Sequence, residues 1–316
     1  MKSLSFILLF AFTACSHAPS SVSTSAATPR VPSSVGPEEY ASQKLLAKGI
    51  SPAFLEVIRK NYKEDERDKV LELNLLGFLQ TNKPKGDETI PGWEIKRVKK
   101  FLRHHKRTFR TAEQDFHVPK EVIASLLWVE TRHGRDLGHF HVASSLFTLV
   151  ESDYPTLLDG LIDEAKKKAP DYDSVMASRI QEHAKAKSEW AANELVALQK
   201  IHQKGWKNAT KLHGSFSGAF GMAQFMPSSY LTWAKSEHTK PNLFKADDSI
   251  LSVANYLNSN GWQKENRTAQ EGALFHYNRD KSYVAHILKM SECLRRPASK
   301  AKAKKSKRTT ASVPSC

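Results

Sequence analysis

The segment from Val118 to Gly138, VPKEVIASLLWVETRHGRDLG, limits most strongly what this chain can fold into. Pro119 suits the first position of a helix, where its missing N–H leaves no hydrogen bond unmade, and Gly134 and Gly138 mark the far end. The residues between them are apolar on most sides of the helix, and this pattern predicts an element that is buried within the fold. Near its far end this helix carries a carboxyl group, that of Glu130.

Glu130 has two interpretations at this point. Desolvation raises the pKa of a carboxyl group, by about 3–5 units for full burial, and a carboxyl that holds its proton near neutral pH can act as a general acid. Alternatively, Glu130 forms an ion pair with Arg132 or Arg135 at the end of the helix. The helix alone leaves both interpretations open.

The rest of the chain predicts a mainly α protein. With 316 residues, of which 40% are hydrophobic, it is long enough to bury the core of one large domain or of two small ones. Runs of alternating β-branched residues bounded by turns are scarce. Helical patterns are found instead at 40–48, after a capping residue at Ser51, at 70–79, in a long basic helix over Trp93–Phe116, at 139–150 and at 153–206.

Residues 1–15 resemble the signal peptide of a bacterial lipoprotein. The apolar run Leu4–Phe12 is too short to span a bilayer but fits a secretory signal, and Phe12-Thr13-Ala14-Cys15 resembles a lipobox, in which the cysteine receives a lipid. The alternative is an ordinary signal peptide with a chance cysteine. We therefore expect a periplasmic protein with lipid on Cys15, and Ser16 is compatible with sorting to the outer membrane. Residues 16–37, rich in Ser, Thr, Ala and Pro, have the composition of a flexible tether.

At the other end, residues 295–316 form a basic tail that we expect to be disordered. The formal net charge is +15, and no acidic residue follows Glu292. Such a tail attracts polyanions, and in an exported protein these are anionic wall or lipid groups rather than nucleic acid. Cys293 and Cys316 either form a disulfide across this tail or remain free thiols.

A second informative segment is Gly214–Tyr230, GSFSGAFGMAQFMPSSY. Its glycines and serines indicate a compact loop whose backbone can approach a ligand closely, followed by a helix. Phe216 at the central position excludes a nucleophile elbow. His133, His139 and His141 have no HExxH spacing, so no metal site is predicted.

Four ordered motifs between Tyr40 and Met290 resemble the membrane-bound lytic transglycosylase B family. They are Glu-Thr-Arg-x-Gly-Arg at 130–135, the glycine-rich loop at 214–230, SVANYLNSNGW at 252–262 and HYNRDKSY at 276–283. The resemblance implies a lysozyme-like, mainly α lytic transglycosylase domain with a substrate cleft, over residues 38–294.

The resemblance also implies a reaction that uses no cofactor. Members of this family cleave the β-1,4 bond between N-acetylmuramic acid and N-acetylglucosamine in peptidoglycan and leave a 1,6-anhydromuramoyl end. Glu130 matches their single catalytic acid and base. The motifs offer no second carboxylate of the kind that retaining and inverting glycosidases use. The C6 hydroxyl of the substrate attacks instead, since a well-placed intramolecular group has an effective molarity of about 10⁵ M or more.

Five further residues match positions that contact the sugar in this family. Ser215 and Gln224 lie in the glycine-rich loop, and Tyr277, Asn278 and Tyr283 lie in the last motif, where aromatic rings line a sugar cleft. For each of the five, the alternative is a packing role behind the residues that touch the sugar.

The chain departs from the family pattern in two places. Ala234–Asp248 lacks the alternating acidic ligands and the central glycine of the calcium loop found in the best-known members, so no calcium site is predicted. The stretch from Trp262 to His276 is too short for the β-rich subdomain that longer relatives insert there. Two other functions stay open: a muramidase that uses water, and a non-catalytic lipoprotein that binds peptidoglycan. We expect a monomer.

Overall fold

The structure is a computed structural model that describes residues 35–79, 89–237 and 240–296. Helices dominate these residues, which confirms the mainly α prediction. In chain order they are α1 (Pro37–Ala47), α2 (Pro52–Lys60), α3 (Arg67–Leu75), α4 (Gly92–His104), α5 (Lys106–Phe116), α6 (Lys120–Thr131), α7 (Val142–Val150), α8 (Pro155–Lys168), α9 (Ser174–Gln203), α10 (Pro227–Trp233), α11 (Ala246–Ser259), α12 (Arg267–Tyr277) and α13 (Lys281–Arg295). Short 3₁₀ helices span Glu64–Glu66, Gly77–Leu79, Glu151–Asp153 and Lys207–Lys211. Two short strands, β1 (Phe140–His141) and β2 (His213–Gly214), pair antiparallel.

Local signals in the sequence explain several helix ends. The hydroxyl of Ser51 accepts a hydrogen bond from the backbone N–H of Phe54 at 3.3 Å, which confirms the predicted cap of α2. Asp173 and Asp280 cap α9 and α13 in the same way. Residues 153–206 are mainly helical, as predicted, and form α8 and α9, because Pro170 disfavours a helical conformation at the residue before it and so ends α8.

The predicted long basic helix over Trp93–Phe116 is wrong, since α4 and α5 meet at His105. There, Nδ1 of His105 is hydrogen-bonded to Oδ1 of Asp247 at 2.9 Å, and the hydroxyl of Thr108 donates to the same oxygen at 2.7 Å. Asp247 lies in the first turn of α11. The break at His105 therefore allows α5 to pack along α11.

The described residues form two compact units, each made of two stretches of the chain. The first unit contains residues 35–79 and 143–211, with α1–α3 and, from residue 143 onward, α7–α9. The second unit contains residues 89–142 and the described residues after 211, with α4–α6, both strands and α10–α13.

The first unit buries a polar cluster around Glu151, which has no exposed surface. Oε2 of Glu151 accepts hydrogen bonds from the hydroxyl of Tyr62 at 2.7 Å and from Nε of Arg67 at 3.0 Å. Burial raises the pKa of Glu151 to about 7, although both partners oppose the shift by stabilising the carboxylate. Glu151 is thus a buried acid that titrates near neutral pH.

In the second unit, α6 is the central element, as its sequence predicts. It packs against α4, α5, α11 and α13. Its apolar residues are inaccessible to solvent on several sides of the helix: Val122, Ile123, Ala124, Leu126 and Leu127 all have 0% exposure. Glu130, in the last turn of this helix, therefore has a backbone held in place by four neighbouring helices.

The ends of α6 differ in detail from the prediction. Pro119 is the N-cap residue in an extended conformation rather than the first helical residue. The helix ends at Thr131, because Arg132 and His133 adopt left-handed conformations with φ of 50° and 59°. Left-handed conformations are unfavourable for residues with a side chain, so the neighbouring contacts hold this turn in place.

Several predictions fall on residues that the structure does not describe. Cys15, the tether up to residue 34, Cys316 and the basic tail after residue 296 lie outside the described residues. Among the helices of the described ranges, none has both the length and the apolar character needed to cross a bilayer. Between Trp262 and His276 the chain forms only a short loop and most of α12, so no β-rich subdomain is present in this stretch.

Candidate active site

The glycine-rich loop folds back on itself beside the end of α6. Ser215 donates its backbone N–H to the carbonyl of Ala219 at 2.8 Å, and Phe220 and Phe225 exchange two backbone hydrogen bonds at 3.0 and 3.1 Å. A Cβ atom on Gly214 would lie 1.9 Å from the carbonyl oxygen of Ala219, so only glycine fits at that position.

Thr131 joins this loop to the helix that carries Glu130. Its hydroxyl donates to the carbonyl of Met222 at 2.9 Å and accepts the N–H of Gly134 at 3.0 Å. The backbone N–H of Met222 donates in turn to the carbonyl of Leu243 at 2.7 Å. Because Thr131 is only 1% exposed, these bonds are shielded from water and fix the loop against α6.

The carboxyl group of Glu130 is surrounded by protein, although the residue keeps partial access to solvent. Burial raises the pKa of Glu130 to about 7. The hydroxyl of Tyr283, on α13, donates a hydrogen bond to Oε1 of Glu130 and opposes this shift, since it stabilises the charged form. The result is a carboxyl group that binds and releases a proton near neutral pH at a place that a ligand can reach.

Glu130 forms no ion pair with any described residue. Arg132 and Arg135 are both exposed, and neither contributes to the pKa of Glu130. The alternative interpretation of Glu130 as half of an ion pair at the helix end is therefore wrong. No second carboxyl among the described residues contributes to its pKa either.

Two further tyrosines lie beside this pair. The hydroxyl of Tyr277, the last residue of α12, donates to the carbonyl of Ala223 in the glycine-rich loop. The ring centroids of Tyr277 and Tyr256 are 4.7 Å apart in an edge-to-face arrangement. Burial raises the pKa values of Tyr277 and Tyr283 well above the usual value for tyrosine, and the nearby charge of Glu130 adds to this effect. Both tyrosines therefore stay protonated and act as hydrogen-bond donors.

Gln224 and Asn278 bring two amide groups to the same region. Gln224 has a left-handed conformation, with φ of 47°, and its Nε2 donates to the carbonyls of Gly221 at 2.9 Å and of Leu137 at 3.3 Å. Both amide hydrogens are used, so Oε1 is the atom of Gln224 that can accept a hydrogen bond from a ligand. The side chain of Asn278, 7% exposed, makes no hydrogen bond to a described residue and is available as donor and acceptor.

Ser215 lies in the same loop but has a different local role. Its hydroxyl accepts the backbone N–H groups of Ser217 at 3.3 Å and Ala219 at 3.0 Å, so the oxygen shapes the turn. The residue is partly exposed, and its hydroxyl hydrogen stays available to a ligand.

His133, three residues after Glu130, is held by contacts within the protein. The ring of His133 stacks on Phe101 with centroids 3.8 Å apart, and Nε2 donates to the carbonyl of Ala124 at 2.9 Å. Burial lowers the pKa of His133 to about 4, so it is neutral at physiological pH. Within the described ranges, no three His, Cys, Asp or Glu residues come together in a way that suits a metal ion.

The structure thus brings Glu130 and Tyr283 into direct contact and links Tyr277 to the loop that carries Gln224. Sequence reasoning missed Thr131 and Tyr256. Thr131 directly follows the candidate acid in its motif, so attention to that position would have identified it, whereas the ring contact of Tyr256 has no local signal in the sequence.

Comparison with known proteins identifies the architecture. The family model described as the Transglycosylase SLT domain matches residues 39–312. Membrane-bound lytic murein transglycosylase B of Escherichia coli (strain K12) is 30% identical over 171 residues, which make up 54% of this chain and only 39% of that protein.

Solved structures of lytic transglycosylases have the same fold. The Escherichia coli lytic transglycosylase SLT35, in complex with bulgecin A, is similar with a TM-score of 0.61 and 20% identity, over 82% of this chain and 92% of that one. Soluble lytic transglycosylase SltB1 from Pseudomonas aeruginosa gives 0.60 and 19%, over 82% and 97%. SltB3 from the same organism, in complex with NAG-NAM-pentapeptide, gives 0.56 and 14%, over 81% and 78%. The predicted lysozyme-like lytic transglycosylase fold is confirmed.

Proposed function

Because this chain belongs to the Transglycosylase SLT domain family, we propose that it cleaves the β-1,4 bond between N-acetylmuramic acid and N-acetylglucosamine in peptidoglycan and forms 1,6-anhydromuramoyl ends. The observation that carries the proposal is the state of Glu130. It is a carboxyl group with a pKa of about 7, held by Tyr283 and reachable by a ligand, without an acidic partner among the described residues.

The first step uses the protonated form of Glu130. At neutral pH a large fraction of such a carboxyl group carries its proton, which it donates to the glycosidic oxygen as the bond to the muramoyl C1 breaks. The leaving N-acetylglucosamine keeps that proton as a hydroxyl group. C1 develops oxocarbenium character, and Glu130 becomes a carboxylate that the hydroxyl of Tyr283 stabilises.

The second step needs a nucleophile at C1. Retaining glycosidases supply a carboxylate about 5–5.5 Å from the acid, and inverting enzymes supply a water molecule held by a more distant carboxylate. No described carboxyl group contributes to the pKa of Glu130, which supports a reaction without a second carboxylate. The C6 hydroxyl of the muramoyl residue attacks C1, Glu130 removes its proton, and the carboxyl group returns to its starting state.

We assign substrate contacts to five residues around Glu130. Tyr277, Asn278 and Tyr283 come from the end of α12 and from α13, and Ser215 and Gln224 come from the glycine-rich loop. The free amide of Asn278 and the free Oε1 of Gln224 suit the N-acetyl and hydroxyl groups of the sugar. The residues need neither a metal ion nor a cofactor for this reaction.

We further propose that the protein is exported, carries a lipid on Cys15 and acts in the periplasm, attached to the outer membrane. The lipobox-like residues 12–15 and the tether-like composition of residues 16–37 support this location. Mass spectrometry of the mature N-terminus tests it, since an unmodified Cys15 would contradict lipid attachment.

Digestion of isolated sacculi tests the reaction. The wild-type protein should release muropeptides with anhydro ends, which lack the mass of one water molecule, and Glu130→Gln should release none. Products with reducing ends from the wild type would instead identify a muramidase. Equal behaviour of both proteins, with binding but no release, would identify a non-catalytic peptidoglycan-binding protein.

A further inference from the structure

Two consecutive helices of the second unit present a surface with one sign of charge. Helices α4 and α5, with the residue between them, contain eight basic and three acidic residues over 92–116. The basic residues, which we call the cationic face, are Lys96, Arg97, Lys99, Lys100, Arg103, Lys106, Arg107 and Arg110.

The cationic face is not neutralised by the fold. All of its residues except Lys99 are exposed, and no side chain among them forms an ion pair or hydrogen bond with a described residue. Two of the three acids are engaged elsewhere, because Glu94 accepts the indole N–H of Trp128 at 2.9 Å and Glu113 pairs with Lys120. Helix α8 differs, since its lysines at 166–168 all pair with carboxylates.

The spacing arranges the charges as a stripe. Lys96, Lys100 and Arg103 follow one another at four and three residues, so they share one side of α4, over about 15 Å from Trp93 to Arg103. Trp93 lies three residues before Lys96 on that side and is 49% exposed. Val98, on the opposite side, is completely buried.

We propose that the cationic face docks onto an anionic phospholipid surface. Lipid phosphates form a dense anionic layer, which complements the exposed positive charge of this face. An exposed tryptophan beside lysine and arginine is the composition found where proteins meet the headgroup region of a bilayer. The inference goes beyond the proposed reaction and does not depend on the chemistry of Glu130.

The test measures sedimentation of the full-length chain with vesicles of phosphatidylcholine alone and of phosphatidylcholine with about 30% phosphatidylglycerol. The face variant changes four residues: Lys96→Gln, Lys100→Gln, Arg103→Gln and Lys106→Gln. A matched control removes the same charge from exposed lysines of the first unit: Lys185→Gln, Lys200→Gln, Lys204→Gln and Lys207→Gln. Any contribution of the N-terminus or the basic tail is the same in all three proteins.

In the wild type, phosphatidylglycerol should strengthen vesicle binding, and high salt should abolish this gain. In the face variant, the gain in vesicle affinity caused by phosphatidylglycerol should be at least about 10-fold smaller than in the wild type, whereas the control variant should show the full gain. Full retention by the face variant, or an equal loss in the control, would overturn the proposal. So would a face variant that loses affinity for isolated sacculi but not for vesicles, because the partner would then be a wall polymer.

Discussion

The phenolic hydroxyl of Tyr283, on α13, donates a hydrogen bond to Oε1 of Glu130, on α6. The two residues are 153 positions apart in sequence, and the packing of α13 along α6 brings them together. Burial favours the neutral carboxyl group, and this hydrogen bond favours the charged one. The balance between the two effects sets the pKa of Glu130 at about 7, near the pH at which a general acid is most effective.

Removal of the phenolic hydroxyl should therefore raise the pKa of Glu130. In Tyr283→Phe the carboxylate loses a charge-assisted hydrogen bond, which corresponds to about one to two pKa units. The alkaline limb of the pH–rate profile of sacculus digestion should move to higher pH by that amount. Tyr230→Phe is the matched control, since the hydroxyl of Tyr230 donates to the carbonyl of Pro241 instead. An alkaline limb that stays in place or moves to lower pH would contradict this account.

The raised pKa of Glu130 also predicts that the acid destabilises the fold at alkaline pH. The folded state binds the proton more tightly than the unfolded state, so the resulting stabilisation is complete below pH 4.5 and is lost as the pH rises through about 7. Glutamine does not titrate. Glu130→Gln should thus gain up to about 3 kcal/mol in free energy of unfolding, relative to the wild type, between pH 5 and pH 8.

Urea unfolding at both pH values measures this difference. Glu151, whose pKa is also about 7, is present in both proteins, so its contribution cancels. A difference between the two proteins that does not depend on pH would mean that Glu130 is not buried enough to shift its pKa.

The sequence predicted the chemistry of Glu130 better than the shape of its surroundings. An acid in the last turn of an apolar helix indicates a raised pKa from local pattern alone, and the structure has that pattern. Tyr283 was identified only through the resemblance of motifs, because it lies on α13, far from Glu130 in the sequence. The break at His105 was missed, because the residue that stabilises it, Asp247, is 142 positions away. Periodicity indicates which side of a helix is buried, but it does not indicate where a distant side chain such as Asp247 binds the side chains at a break between two helices.

The link between Thr131 and the glycine-rich loop should influence catalysis through the position of that loop. Thr131→Val keeps the shape of the side chain but loses both hydrogen bonds of the hydroxyl, to Met222 and from Gly134. We expect kcat for sacculus digestion to fall about 10- to 100-fold, since small displacements in an active site reduce rates by such factors. Thr131→Ser, which keeps the hydroxyl, should restore most of the activity. Lost activity in Thr131→Ser together with wild-type activity in Thr131→Val would show that the methyl group, not the hydrogen bonds, matters.

Arg67 should stabilise the first unit in a manner that depends on pH. Its side chain is 14% exposed and pairs with the fully buried Glu151. In Arg67→Met the carboxylate loses its cation, which raises the pKa of Glu151 further, so this acid stays protonated in the folded variant. Because the pKa of Glu151 in the wild type is about 7, its ionisation stabilises the folded wild-type protein by about 1.4 kcal/mol at pH 8 and hardly at all at pH 5. The loss in Arg67→Met should be larger at pH 8 than at pH 5 by about that amount.

Thermal or urea unfolding at the two pH values checks this expectation. Arg59→Met is the control, because Arg59 forms only an exposed pair with Glu39 at 3.8 Å. A loss in Arg67→Met that is the same at both pH values would indicate that packing of the arginine, rather than its charge, stabilises the cluster.

Gly138 should tolerate no side chain, because the glycine-rich loop lies directly against it. A Cβ atom at this position would be 2.1 Å from the carbonyl oxygen of Gly214, and φ is +83°, a conformation that other residues rarely adopt. Gly138→Ala should therefore destabilise the second unit by more than about 1 kcal/mol from backbone strain alone, and it should displace Ser215, whose backbone N lies 2.9 Å from the same Cβ position.

Gly160→Ala is the control, because Gly160 lies in the middle of α8 and no atom lies within 4 Å of the new Cβ. This variant should stabilise its helix by about 0.5–1 kcal/mol. Urea unfolding of the two variants, together with their sacculus digestion rates, separates these effects. A Gly138→Ala protein with wild-type stability and activity would contradict the close contact between Gly138 and the glycine-rich loop.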